Sequence, residues 1–281
     1  MLKITETEVF GWDAAIRGMR NAHESWDKSD SGYCLNTLAC HDCKWNRLTE
    51  VKCKTNIDNH IFVVGKDDLS LMKKLVAAGT DHSKFMRMIH VQCDWEAPLY
   101  WWKEADTYKV GTVRNSCSTM HKITEHEFTM DMFSHEHLDD IWAYEPEERD
   151  QAPVIVFQTR TCDTTDYVLG PEDILTITIT ALNKYRNMYL ELKNKPTKDI
   201  KARDERLKML WWQIIQLLPS SYNQKATMDL NYQVLRNMYH SRKHHKQDEW
   251  RIDFCNWVKS LPYSELITMT KEELLESIKE V

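Results

Sequence analysis

Glycine and proline are scarce, with seven of each among 281 residues. That scarcity excludes a loop-dense architecture of tight turns and points to long helices. Long apolar runs are missing too, and none approaches the ~20 residues that a membrane span needs. The opening stretch MLKITETEVFGWDAAIRG has no apolar signal core. The expectation is a soluble, cytoplasmic chain with no membrane partner. Positive charge is not in excess: 37 Lys and Arg stand against 43 Asp and Glu, a net charge of -6. This argues against a nucleic-acid polymer as partner. Repeats and low-complexity tracts are lacking as well. What is present is a 42% hydrophobic share, enough for a core, together with 11 Trp and 8 Cys. Without a leader, those cysteines read as thiols or metal ligands rather than disulfides.

The pattern along the chain reads as α+β, with a central mixed or antiparallel sheet, long helices and a mainly α C-terminal half. A single domain over 1–281 is expected, with a Cys-rich insertion at about 31–60. Lys3 to Phe10 reads as a strand and Trp12 to Met19 as a helix. Asp67 and Asp68 start a helix through Ala78, stopped by Gly79. A short helix follows from His82 to Ile89, then a strand from His90 to Glu96 and a helix from Leu99 to about Lys109. Residues 124–170 are acidic and irregular, with a helix expected at His135 to Tyr144 and a strand at Val154 to Thr159. Further helices are expected from Pro171 to Lys193, Asp199 to Leu218, Met228 to His244, Asp248 to Ser260 and Lys271 to Lys279.

The segment Ala97 to Lys122 carries the chemistry. Tyr100, Trp101, Trp102 and Tyr108 supply flat aromatic surface, Lys103, Lys109 and Arg114 supply charge, and Asn115 to Thr119 and His121 supply small polar groups. A purely packed segment would not hold so many groups that need partners once buried. The combination suits a flat anionic ligand such as a nucleotide or flavin. For the Trp pair, core packing is the plainer reading. A thiol flanked by Lys109 and Arg114 makes Cys117 a candidate nucleophile, because neighbouring cations favour the reactive thiolate. An ordinary packed thiol is the other reading.

The order LSLMKKLVAAGTDHSKF, MIHVQCDWEAP, LYWWKEADTYKVGTVRNSCS resembles the flavin-dependent thymidylate synthases, the ThyX family. That family carries a signature of Arg-His-Arg, seven residues, then Ser. Its later motif runs Leu-Pro, Asn-x-Arg, a second Asn and an Arg. Here LLPSSYNQKATMDLNYQVLRNMYHSRKHH supplies Leu218-Pro219, Asn231, Asn237 and Arg242. The signature itself reads Thr107-Tyr108-Lys109, its Ser falls on Cys117 beside Ser118, and Asn-x-Arg reads Asn231-Tyr232-Gln233. The resemblance covers roughly residues 68–120 and 205–260.

The resemblance implies reductive methylation of dUMP to dTMP, with FAD as cofactor and NADPH and methylenetetrahydrofolate as co-substrates. It also implies a homotetramer. By it, Lys103, Glu104, Lys109, Cys117, Ser118 and Arg242 bind dUMP, with Arg242 on the phosphate. His82, Tyr108, Lys109, Asn115, Asn231, Gln233 and Asn237 contact the flavin, Tyr108 by stacking. Cys117 and Ser118 are the catalytic candidates, although the scheme needs no protein nucleophile. Other readings stay open: an enzyme acting on another pyrimidine nucleotide, a nucleotide- or flavin-binding protein without catalysis, or a zinc-stabilised interaction module. The last rests on Cys34, Cys40, Cys43 and Cys53, where Cys40-x2-Cys43 has the spacing that presents two thiolates to a structural zinc.

Overall fold

The structure is a computed structural model that describes residues 1–33, 62–139, 155–157 and 167–279. In chain order the elements are β1 (Lys3–Phe10), α1 (Trp12–Arg20), β2 (Gly32–Tyr33), β3 (Phe62–Val63) and α2 (Lys66–Ala78). After these come β4 (His90–Pro98), α3 (Leu99–Ala105), β5 (Val113–Ser116), α4 (Thr119–Lys122), β6 (Ile155–Phe157) and β7 (Tyr167–Leu169). The C-terminal half holds α5 (Pro171–Asn194), α6 (Ile200–Leu217), β8 (Asn223–Asn231), α7 (Tyr232–Arg242) and a π-helix over Glu249–Phe254. The chain ends in α8 (Cys255–Ser260), α9 (Glu265–Thr268) and α10 (Lys271–Lys279). The strands form a four-stranded sheet in the order β1-β4-β8-β5 and two antiparallel pairs, β2 with β3 and β6 with β7. The fold is therefore α+β.

The chain divides into two compact units. One comprises Met1, Glu96–Glu104 and Ser116–Lys225. The other comprises Leu2–Trp95, Ala105–Asn115 and Ala226–Val281. The first is built on α5 packed along α6. Pro171 opens α5 at a position where its missing N–H costs nothing, and the Asp173 carboxylate accepts from Gly170 N at 2.9 Å. Asp199 caps α6 by accepting from Ala202 N at 3.0 Å. Leu175, Leu182 and Ile214 from these helices close over Ile123, Phe128 and Phe133. Asn183 fixes that loop by bonding both the N–H and the carbonyl of Phe128, each at 2.8 Å.

In the second unit, β4 alternates: Val91, Cys93 and Trp95 are buried while Gln92 is exposed. Trp95 meets Phe254 and Trp257 edge-on. Trp12 of α1 packs edge-on against Tyr232 at 5.2 Å and Tyr263 at 5.1 Å. The turn before α1 requires Gly11, whose φ is +91° and whose Cβ would stand 2.1 Å from the Met88 carbonyl oxygen. Arg20 of α1 and Asp68 of α2 form a buried ion pair at 2.7 Å, completed by the hydroxyls of Ser29 and Ser31 at 2.6 Å.

Several elements depart from the sequence expectation. The helix begun at Leu99 stops at Ala105 rather than near Lys109, because Asp106 and Thr107 are weak helix formers. Asp106 instead takes Arg114 Nη1 at 2.7 Å. Tyr108 therefore does not continue the Tyr100–Lys103–Glu104 stripe. Val113–Ser116, for which the sequence reading names no strand, is strand β5. The helix expected from Met228 is a strand as far as Asn231, with Ala226, Met228 and Leu230 buried at period two, and its helix ends at Arg242. Asn231 is the boundary, since its side chain accepts from Val234 N at 3.0 Å. The segment from His82 is a 3-10 helix over Lys84–Met88, and the Asp248–Ser260 helix begins as the π-helix. Of His135 to Tyr144, residues 135–139 are turn and coil and the rest lies outside the described residues. Cys34, Cys40, Cys43 and Cys53 also lie outside them.

Candidate functional site

In the second unit, α7 delivers its polar side chains from one capped start. Asn231 is buried at that start: its side-chain Oδ1 caps the helix, and its Nδ2 donates to the Gly111 carbonyl at 3.4 Å. Gly111 has φ +77°, and a Cβ there would approach Asn231 Nδ2 to 2.8 Å and Val234 Cγ2 to 3.0 Å. Two residues along, Gln233 is buried as well. It accepts from Ser83 Oγ at 3.0 Å and donates to Asn237 Oδ1 at 3.2 Å. Ser83 follows His82, an exposed residue in the turn after Gly79. Asn231 and Gln233 thus serve the scaffold, while Asn237 stands exposed.

At the other end of α7, Arg242 occupies the last turn, where a cation complements the helix dipole. Its Nε donates to the Tyr108 hydroxyl at 2.9 Å. The guanidinium carbon sits 5.5 Å from the centre of the Tyr108 ring and 5.1 Å from that of Trp250. The rings themselves are 6.3 Å apart and tilted by 57°. These distances form a triangle, so both rings lie to one side of the cation. Trp250 is fully buried and Tyr108 half-buried. Trp250 carries no sequence signal for this role. It lies eight residues beyond Arg242, across a turn and inside the π-helix, so no α-helical periodicity links them. Ser83 was likewise not legible as the partner of Gln233.

The remaining candidates of this unit, Lys109 and Asn115, are exposed. On the same helix as Arg242, burial pulls the His240 pKa down, as do the charges of Arg236 and Lys243, against a hydrogen bond to the Ile267 backbone and the charge of Glu273. Arg236 is tied to the α9 carbonyls of Leu266 at 2.9 Å and Ile267 at 3.2 Å.

In the first unit, Lys103 is exposed and Glu104 half-buried on α3. Trp101 and Trp102 are buried and meet edge-on at 5.2 Å, and Trp102 Nε1 donates to the Gln224 carbonyl at 3.0 Å, so the pair is core. Cys117 is a free, exposed thiol on a fixed backbone: its N–H donates to Lys225 O at 2.9 Å, and its carbonyl accepts from Gln224 Nε2 at 3.0 Å. Ser118 caps α4 by accepting from His121 N at 3.2 Å. Burial pushes the Cys93 thiol to about 12, and it raises Cys255 too. Of the described cysteines, Cys117 alone is exposed. Among the described residues, no group of three or more His, Cys, Asp or Glu is placed to hold a metal ion, and no helix is long and apolar enough to cross a membrane.

No protein-family profile matches the chain, and no curated protein matches it. Solved structures do. The crystal structure of thymidylate synthase X (ThyX) from Helicobacter pylori with FAD and dUMP is similar over 100% of both chains, with a TM-score of 0.52 at 14% identity. A flavin-dependent thymidylate synthase ThyX from the same organism, complexed with FAD and dUMP, is matched over 94% of this chain and 96% of that one, with a TM-score of 0.49 at 11% identity. At such identities the first likeness shows a fold similar to ThyX.

Proposed function

We propose that this chain is a flavin-dependent thymidylate synthase-like enzyme, which converts dUMP to dTMP with FAD, NADPH and methylenetetrahydrofolate and assembles as a homotetramer. The observation that carries the reading is Arg242, a half-buried guanidinium oriented by a hydroxyl and two aromatic rings, in a fold similar to a protein solved with FAD and dUMP. A planar guanidinium suits a phosphate better than an ammonium does, because it presents parallel donors. Lys109, in the same unit as Arg242, is a further dUMP contact in this reading, and Lys103, Glu104, Cys117 and Ser118 of the first unit are candidates by the sequence resemblance alone.

The residues present suit a flavin in part. His82, Lys109, Asn115 and Asn237 are exposed donors that would contact it, whereas Asn231 and Gln233 are committed to the α7 scaffold. When bound, the flavin supplies the electrons and the folate the one-carbon unit. The chain's own part is to bind, orient and exclude water. Tyr108 and Lys109 stand where the ThyX signature has its His and last Arg, which favours a second reading of nucleotide binding without catalysis.

The test is the purified chain with added FAD, followed by growth of a thymidine-requiring strain that expresses it. Flavin absorbance and rescue are the expected result. Binding of FAD and dUMP without rescue would establish the second reading, and protein that takes up no FAD would overturn the first.

A further inference from the structure

Tyr108 was expected to stack on a flavin, yet its hydroxyl is engaged elsewhere. It accepts the Nε proton of Arg242 at 2.9 Å. A phenol that accepts from a cation turns its own O–H away from that cation. Tyr108 therefore presents a donor beside the guanidinium and closes the Nε edge of it. Its backbone is held as well: Tyr108 N donates to Ala105 O at 3.1 Å, and its carbonyl accepts from the Thr112 hydroxyl. Trp250 forms a fixed wall, because it is fully buried and its π-helix packs it edge-on against Phe254 at 5.2 Å. The two rings attract the cation from one side, which orients the guanidinium.

We propose that Tyr108 and Arg242 act as one phosphate clamp, in which Tyr108 orients the guanidinium and donates its own hydroxyl hydrogen to the phosphate of the bound nucleotide. Trp250 is a positioning residue beneath the guanidinium. This rests on the nucleotide-binding reading above and replaces flavin stacking as the task of Tyr108. The chemistry recognised is a phosphate monoester, so discrimination lies between a nucleotide and its nucleoside.

Titration calorimetry with dUMP and with deoxyuridine, on wild type, Tyr108→Phe, Arg242→Lys and the double variant, tests the clamp. Phe keeps the ring and removes both hydrogen bonds. Tyr108→Phe is expected to weaken dUMP about tenfold, in line with a hydrogen bond to a charged group, and to leave deoxyuridine and FAD unchanged. The double variant should lose less than the product of the single losses, since both act on one contact. Weakened FAD with unchanged dUMP would return Tyr108 to the flavin. Equal loss of dUMP and deoxyuridine would make its role structural, and independent losses in the double variant would break the joint clamp. A wild type that binds dUMP no tighter than deoxyuridine overturns the clamp while a base site survives. A wild type that binds neither overturns the nucleotide reading itself.

Discussion

Asp68 shows how one residue can hold two elements together. Burial alone would raise its carboxyl, but hydrogen bonds from Ser29, Ser31 and Arg20 and the Arg20 charge outweigh it and hold the pKa below 3.8. The carboxylate then favours the fold at any pH above the unfolded value, and that contribution is lost as pH falls through the lower folded one. His240 adds to the same trend. Its folded pKa lies below 6.5, so its contribution is present above 6.5 and fades as pH drops through the folded value. Denaturant midpoints should therefore fall in two stages on acidification, the first absent from His240→Gln. Asp68→Asn leaves Arg20 buried without its charge partner and should cost about 3–5 kcal/mol by urea unfolding at neutral pH. Arg242→Lys keeps a charge and loses the fork, which should weaken dUMP by roughly 1.5–3 kcal/mol in calorimetry. Cys117→Ala should leave kcat at saturating dUMP near normal even where KM rises, because the proposed chemistry resides in flavin and folate; a collapse of kcat would establish the thiol as a nucleophile.

At the scale of elements, the junction of β8 and α7 sets the geometry of the candidate site. Asn231→Ala removes a cap and should cost about 0.5–2 kcal/mol. Gly111→Ala forces a side chain into a left-handed backbone and against Asn231, at about 1–2 kcal/mol for the backbone alone. Because both changes disturb one contact, the double variant should lose less than their sum in urea unfolding. The same junction shows the limit of sequence reading. Met228 and Leu230 precede the apolar positions of α7 directly, so a helical period runs through both and conceals the change of conformation. Asn231 was legible as a polar residue, but its capping role depends on which partner lies three residues on. By contrast, α5 and α6 are announced by Pro171 and Asp199, local signals that need no tertiary partner.

For the whole molecule, binding and assembly are the measurable quantities. A ligand that binds only the folded chain stabilises it, by about 2.7 kcal/mol at a hundred times Kd. Thermal unfolding should therefore shift upward with dUMP and with FAD, and not with deoxyuridine at equal concentration. Sedimentation should report four chain masses; a monomer would overturn the proposed tetramer and leave the binding predictions standing.

The sequence by itself determined the α+β class, the strand at Lys3, the long C-terminal helices and the presence of aromatic and cationic groups around Tyr108 and Arg242. Those depend on local period, caps and residue type. Tertiary structure decided which groups meet. It spent Asn231 and Gln233 on the scaffold, paired Arg114 with Asp106, and set Tyr108 and Trp250 against Arg242. The Ser83–Gln233 and Tyr108–Arg242 pairings join residues far apart in the chain, and every hydrogen bond or ring contact depends on distance and angle, which residue type and spacing do not encode.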